Sequence, residues 1–154
     1  MLPLCLRLRI GWIRPRLTIN SRVSLTQIYR GGGSGNPILK KYGAVFYDQT
    51  NLGIARCNIR GNKVWKGASS ATPILTVLGQ KAYVGASTGV CMFNLYKDIV
   101  FDGCGTEIPL YKLVGNKLYE GASTAKIVMN WTGEPMKPIA LFAAINLLRT
   151  TYRR

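Results

Sequence analysis

GNKVWKGASSATPILTVLGQKAYVGASTGVCMFNLY, residues 61–96, is one 18-residue unit written twice. Each copy opens on a glycine and a polar residue and passes through a short run around an aromatic (KVWKG, KAYVG). It then crosses a Gly-Ala-Ser segment and ends in a second apolar run (PILTVL, CMFNLY). Working outward, residues 115–132 repeat the pattern as GNKLYEGASTAKIVMNWT, and residues 97–114 keep its spacing with altered turn residues as KDIVFDGCGTEIPLYKLV. Two weaker copies lie upstream, QIYRGGGSGNPILKKY at 27–42 and AVFYDQTNLGIARCNIR at 44–60. The register is set by Tyr29, Tyr47, Trp65, Tyr83, Phe101 and Tyr119, each 18 residues from the next. Two residues after the aromatic stands Gly31, Gly67, Gly85, Gly103 or Gly121, with Gln49 the exception. Twelve after it stand Lys41, Ile59, Val77, Leu95, Leu113 and Trp131, apolar but for the lysine. Aromatics make up only 10% of the chain, so such a run at one spacing is not chance, and a fixed period marks a repeat architecture.

Each unit therefore predicts two short strands. Gly61-Asn62, Gly79-Gln80 and Gly115-Asn116 separate alternating runs by two residues, the signature of a tight hairpin, because glycine and asparagine accept positive φ at little cost. The other connection, such as GASSATP, reads as a longer open loop. With Gly79-Gln80 as the turn, Val77 falls opposite Ala82, Leu75 opposite Val84 and Thr76 opposite Tyr83. The same pairing joins Leu113 to Leu118 and Leu95 to Val100. One face is then continuous Val, Leu and Ala. The other carries the aromatics beside Lys40, Asn58, Thr76, Asn94, Lys112 and Asn130, with the glycines on the aromatics' own face, where a ring can cover a strand glycine. An open sheet of that many strands would expose its edges. The predicted class is all-β: six tandem two-strand repeats in an antiparallel meander closed as a barrel or propeller-like ring, with a β-solenoid as the alternative.

The unit Gly-Asn-Lys-x-(Tyr/Trp)-x-Gly-Ala-Ser-(Ser/Thr), followed by a Leu/Val-rich strand, resembles short bacterial proteins built of tandem GNxIYxG-ST-type repeats. The resemblance covers residues 25–147 and implies an array followed by a short apolar helix. Residues 138–145, PIALFAAI, occupy that helix position here. It implies no activity. Independently, PIALFAAINLLRT (138–150) has the alanine and leucine content of a helix, with Pro138 suited to a first turn. Its apolar residues run nearly all round, which implies burial, and it reads as a cap on an open end or edge of the array. A peripheral membrane or docking helix is the other reading.

The chain thus divides into a basic N-terminal arm (1–24), the six-repeat domain (25–133) and a C-terminal helix with a basic tail (134–154). The formal charge is +15, from 21 bases and six acids, but residues 42–132 carry only +4 of it. The excess lies in the arms. Arg7, Arg9, Arg14, Arg16 and Arg22 stand without an acid, and three readings of that arm stay open. It is a flexible arm for nucleic acid or an anionic surface, an organellar targeting segment, or a stretch without a folded role upstream of initiation near Val23. Arg7 and Arg9 interrupt the run MLPLCLRLRI, which argues against a secretory signal, and no stretch reaches the roughly 18 apolar residues of a membrane span.

Catalytic chemistry finds little support. There is no histidine, so Ser-His-Asp, Cys-His and His-metal sites cannot be assembled from this chain. Asp98, Asp102, Glu107 and Glu120 read as solvated charges. Residues 31–36, GGGSGN, do not match a phosphate-binding loop and read as the first unit's open loop. Cys5, Cys57, Cys91 and Cys104 lack ligand spacing and read as reduced thiols of a reducing cytoplasm, neither a zinc site nor a disulfide framework. No cofactor, metal or small-molecule substrate is implied. The expectation is a non-enzymatic β-repeat module for binding or assembly in the bacterial cytoplasm, acting on a protein partner or on copies of itself. The alternative is a nucleic-acid-binding protein. It would use the five arm arginines for phosphates and Tyr29, Tyr47, Trp65, Tyr83, Phe101 and Tyr119, with Lys40 and Lys112, as a stacking face.

Overall fold

Alternation of apolar and polar residues over four to six positions makes each half-repeat a strand, and the computed structural model, which describes residues 24–49 and 53–151, shows two per unit. They are β1 (Leu25–Arg30), β2 (Leu39–Tyr42), β3 (Val45–Asp48), β4 (Ala55–Arg60), β5 (Lys63–Lys66) and β6 (Pro73–Leu78). They continue as β7 (Lys81–Val84), β8 (Cys91–Tyr96), β9 (Ile99–Asp102), β10 (Pro109–Val114), β11 (Lys117–Glu120) and β12 (Ile127–Trp131). Every strand pairs antiparallel with its sequence neighbours, and β12 returns to β1, closing a twelve-strand barrel among the described residues. The solenoid alternative is thereby excluded. Closure repeats the hairpin register without a connecting turn: Tyr29 faces Asn130 across β1 and β12 just as Trp65 faces Asn58 and Phe101 faces Asn94. The pairs predicted around Gly79-Gln80, Leu75–Val84, Thr76–Tyr83 and Val77–Ala82, are all present, as are Leu113–Leu118 and Leu95–Val100.

The two kinds of connection gather at opposite ends of the barrel, here the turn end and the loop end. At the turn end Gly43, Gly61, Gly79 and Gly115 hold φ between 56 and 61°, while the residue after each does not enter the positive region. That is the pattern of a turn with glycine in its first central position. Lys97 and Asp98 fill the equivalent turn with φ of 47 and 62°, a conformation that side chains adopt at a cost. At the loop end, hairpins β3–β4, β5–β6, β7–β8, β9–β10 and β11–β12 each shift register by a bulge. Bulges add twist, which a closing sheet needs.

The loop-end glycines differ from the expectation. Gly67, Gly85, Gly103 and Gly121 do not lie in strands beneath the aromatics; each directly follows a strand with φ of 65–70°. The positive φ is what requires glycine there.

The lumen explains the rest. The residue before each aromatic (Ile28, Phe46, Val64, Ala82, Val100, Leu118) and the residue ten after it (Leu39, Cys57, Leu75, Phe93, Met129) are fully buried, with Tyr111 half-buried at the twelfth place. About eight strands make a barrel that side chains alone can fill, so twelve leave a wider space. Helix α1 (Pro138–Thr151) occupies it. Phe142, Ala143, Ala144 and Ile145, consecutive and therefore on all sides of the helix, are completely buried within one core cluster with the strand residues. Phe142 stacks on Phe93 of β8 with ring centroids 5.8 Å apart. Ile139 and Ala140 stand near the turns, whereas Asn146 and Arg149 stand near the loops, so the helix runs along the barrel from one mouth to the other. This goes further than the expected cover over an open end.

Candidate functional site

The outer wall was the expected stacking face, and it is largely occupied by the protein itself. Asn58 donates through Nδ2 to the carbonyls of Gly67 and Ser69 (2.8 and 2.9 Å), Asn94 to those of Cys104 and Gly105 (3.3 and 3.1 Å), and Asn130 to those of Gly31 and Gly33 (2.6 and 3.0 Å). Thr76 does the same to Gly85 (2.8 Å). Four of the six repeats thus pin the next unit's loop back against the wall. Lys40 and Lys112 occupy the same column in the other two repeats, opposite Tyr47 and Tyr119. Tyr29 and Phe101 are only 9% and 8% exposed, and Tyr47, Trp65, Tyr83 and Tyr119 are half-buried. The Trp65 indole Nε1 is itself buried without a partner. The rings are wall packing more than open platforms. Arg7, Arg9, Arg14, Arg16 and Arg22 lie outside the described residues.

The cysteine reading needs correction. Cys91 and Cys104 form a disulfide, with Cα atoms 5.5 Å apart. The cause is the repeat: the start of β8 and the following unit's loop are brought together when Asn94 folds that loop back. Cys57 is a free thiol on the lumen side, and burial pushes its pKa up to about 12, which leaves it unreactive at neutral pH.

Charge is distributed along the barrel axis. By strand and turn position, the turn end gathers Lys40, Lys41, Arg60, Lys63, Lys81, Lys97, Lys112, Lys117 and Lys137 against Asp98 and Glu134. The loop end gathers Arg30, Arg56, Lys66, Lys126 and Arg149 against Asp48, Asp102, Glu107 and Glu120. Among the described residues, then, nine bases oppose two acids at one end and five oppose four at the other. The loop-end charges also neutralise one another locally: Arg56 pairs with Asp48, and Lys126 with Glu120 at 3.0 Å.

Each mouth holds a pocket. At the loop end, Met92, Phe93, Asp102, Asn146, Arg149 and Thr150 line about 460 Å³, with Arg149 packed over the Phe93 ring at 5.5 Å. Beside it, burial raises the Tyr111 phenol above its ordinary pKa, with Arg149 acting against the rise and Glu120 with it. At the turn end, a pocket of about 350 Å³ opens between β1, β2 and the start of α1, with Lys41, Lys137 and Thr26 on its wall. Burial first, and the neighbouring Lys137 second, hold the Lys41 ammonium below the ordinary lysine value. Sequence reading registered Lys41 only as the exception in an apolar column and did not reach the pocket. Among the described residues no three potential ligands from His, Cys, Asp and Glu converge. Comparison with protein-family models, with curated proteins and with solved structures yields no match.

Proposed function

We propose that the chain is a non-enzymatic binding module that presents its turn end to an anionic partner. The charge separation along the axis carries this reading: the net positive field gathers on one rim, where lysines follow the two-residue turns, and fades at the other. A one-sided field of this kind steers and holds polyanions through their phosphates or carboxylates. The exposed rim side chains Leu78, Tyr96 and Val114 alternate with Lys81, Lys97 and Lys117, so apolar contact is available beside the charge. No helix among the described residues is long and apolar enough to cross a membrane.

The test is binding of the full chain to a single-stranded oligonucleotide and, separately, to vesicles containing an anionic phospholipid, across a series of salt concentrations. At least one should bind at low salt with an affinity that falls steeply as salt rises. The triple variant Lys63→Gln, Lys81→Gln, Lys117→Gln should weaken it at least tenfold, and Lys66→Gln with Lys126→Gln should leave it within about twofold. No binding to either probe at low salt, or equal loss from the two variants, refutes the proposal.

Assembly is the second form of the same proposal, favoured by the apolar side chains Ile54, Val90 and Ile108 exposed along the loop end. Light scattering at high concentration decides it: a species that stays monomeric removes assembly.

A further inference from the structure

The lumen-facing column nearest the turns reads Lys41, Ile59, Val77, Leu95, Leu113, Trp131. Five repeats place an apolar side chain there, and the sixth places an ammonium where it loses water and sits near a second ammonium, Lys137. Neither lysine forms an ion pair among the described residues. Thr26 is the cross-strand partner of Lys41 on β1; it is 6% exposed, lines the same pocket, and its hydroxyl bonds to no described residue. The start of α1 closes the pocket: Ile139 and Ala140 line it, the first turn contains no acid, and the first N–H groups of a helix have no intrahelical acceptor. Ile59, Met136 and Pro135 supply an apolar side. Ser24 and Glu134 stand at the exposed margin. A repeat rule broken at one position, where unpaired cations and a threonine meet a cavity of ligand size, is what a site looks like in an otherwise consistent fold.

We propose that this pocket binds an amphiphilic anion, its carboxylate or phosphate head held by Lys41, Lys137 and the Thr26 hydroxyl and its apolar part laid against Ile59, Met136 and Ile139. The site goes beyond the rim contact proposed above, since the rim lysines and the pocket lysines can be removed separately. The same head-and-tail chemistry is found in free acyl or alkyl anions and in membrane lipids.

The experiment is titration of the full chain, followed by amide NMR and calorimetry, with octanoate and octyl phosphate below their micellar concentrations, and with inorganic phosphate and octanol as the two halves alone. An amphiphile should saturate and shift the amides of Thr26, Lys41, Ile139 and Ala140, and each half alone should bind at least tenfold more weakly. Lys41→Ile installs the residue type of the other repeats, so the barrel should fold, yet amphiphile affinity should fall at least tenfold; Thr26→Val should lower it several-fold. Anionic vesicles separate the sources. If recruitment to them also falls in Lys41→Ile, the head comes from a membrane lipid; if only amphiphile binding falls, it is a soluble ligand. Unchanged amphiphile affinity in a folded Lys41→Ile variant, shifts confined to the loop end, or no saturation overturns the site. Loss of rim binding in the Lys63, Lys81 and Lys117 variant with pocket titration intact would show the two readings to be independent.

Discussion

At the turn end, strands are joined by two residues, charge is almost all lysine, and the lumen opens between the Lys41 ammonium and the first turn of a helix. At the loop end, segments such as 67–72, 85–90 and 103–108 fold back over the wall, are pinned by asparagine or threonine side chains and one disulfide, and carry acids beside their bases. Both ends come from the same six units. A repeat whose two connections differ in length gives a closed barrel two unlike rims. The long connections are held back by hydrogen bonds to the wall, whereas the short ones carry exposed side chains such as Leu78, Tyr96 and Val114. The difference teaches where to look for binding in a barrel built of repeats.

The largest effect should come from the element shared by both ends. Phe142→Ala removes the ring stacked on Phe93 in the middle of the lumen and should cost about 3–5 kcal/mol in urea unfolding. If the cost were below about 1 kcal/mol, the helix would not be the core of the barrel, and the two mouths would not be linked through it. Next, reduction of Cys91–Cys104, which closes a separation of 13 residues, should cost about 3 kcal/mol. Its imprint on hydrogen exchange should fall on the 103–108 loop and β8, leaving the turn-end amides of β2 and β3 unchanged. Equal loss of protection at both ends would erase the proposed division of labour.

A smaller change, Asn58→Ala, frees the Gly67 and Ser69 carbonyls and should cost about 1–2 kcal/mol, loosening one loop alone. The smallest is a gain. Because burial and Lys137 depress the Lys41 pKa, its charge disfavours the folded state. That penalty is full at neutral pH, where Lys41 is charged both folded and unfolded, and is lost as pH rises through the folded value and past the ordinary 10.5. Lys41→Ile should therefore raise the melting temperature by about 2–4 °C at pH 7, with the advantage shrinking toward pH 10–11. A constant advantage across that range would mean that charge is not the cause.

Much of the wall was legible in the sequence because it depends only on period and turn chemistry. A two-residue glycine turn and strict alternation leave one register, and Thr76–Tyr83 and Leu95–Val100 follow from it. What depended on the third dimension was not legible. The all-round apolar helix announced burial, yet its placement in the lumen requires the barrel's width, which follows from strand number and closure together. The Cys91–Cys104 bridge joins two columns of neighbouring units through a loop fold that Asn94 creates, and no spacing rule along the chain points to it. The loop glycines were visible, but their reason, positive φ directly after a strand, was not. For the turn-end pocket the signal was present in Lys41, the one break in its column; its meaning needed Thr26 and the helix start beside it.

The claim that binding belongs to the turn end is tested most directly by lysine acylation of the full chain, read residue by residue, with and without the polyanion that binds it at low salt. The account predicts protection of Lys63, Lys81, Lys97 and Lys117 and unchanged labelling of Lys66 and Lys126. Protection of Lys66 and Lys126 to the same degree, or of them alone, would contradict it.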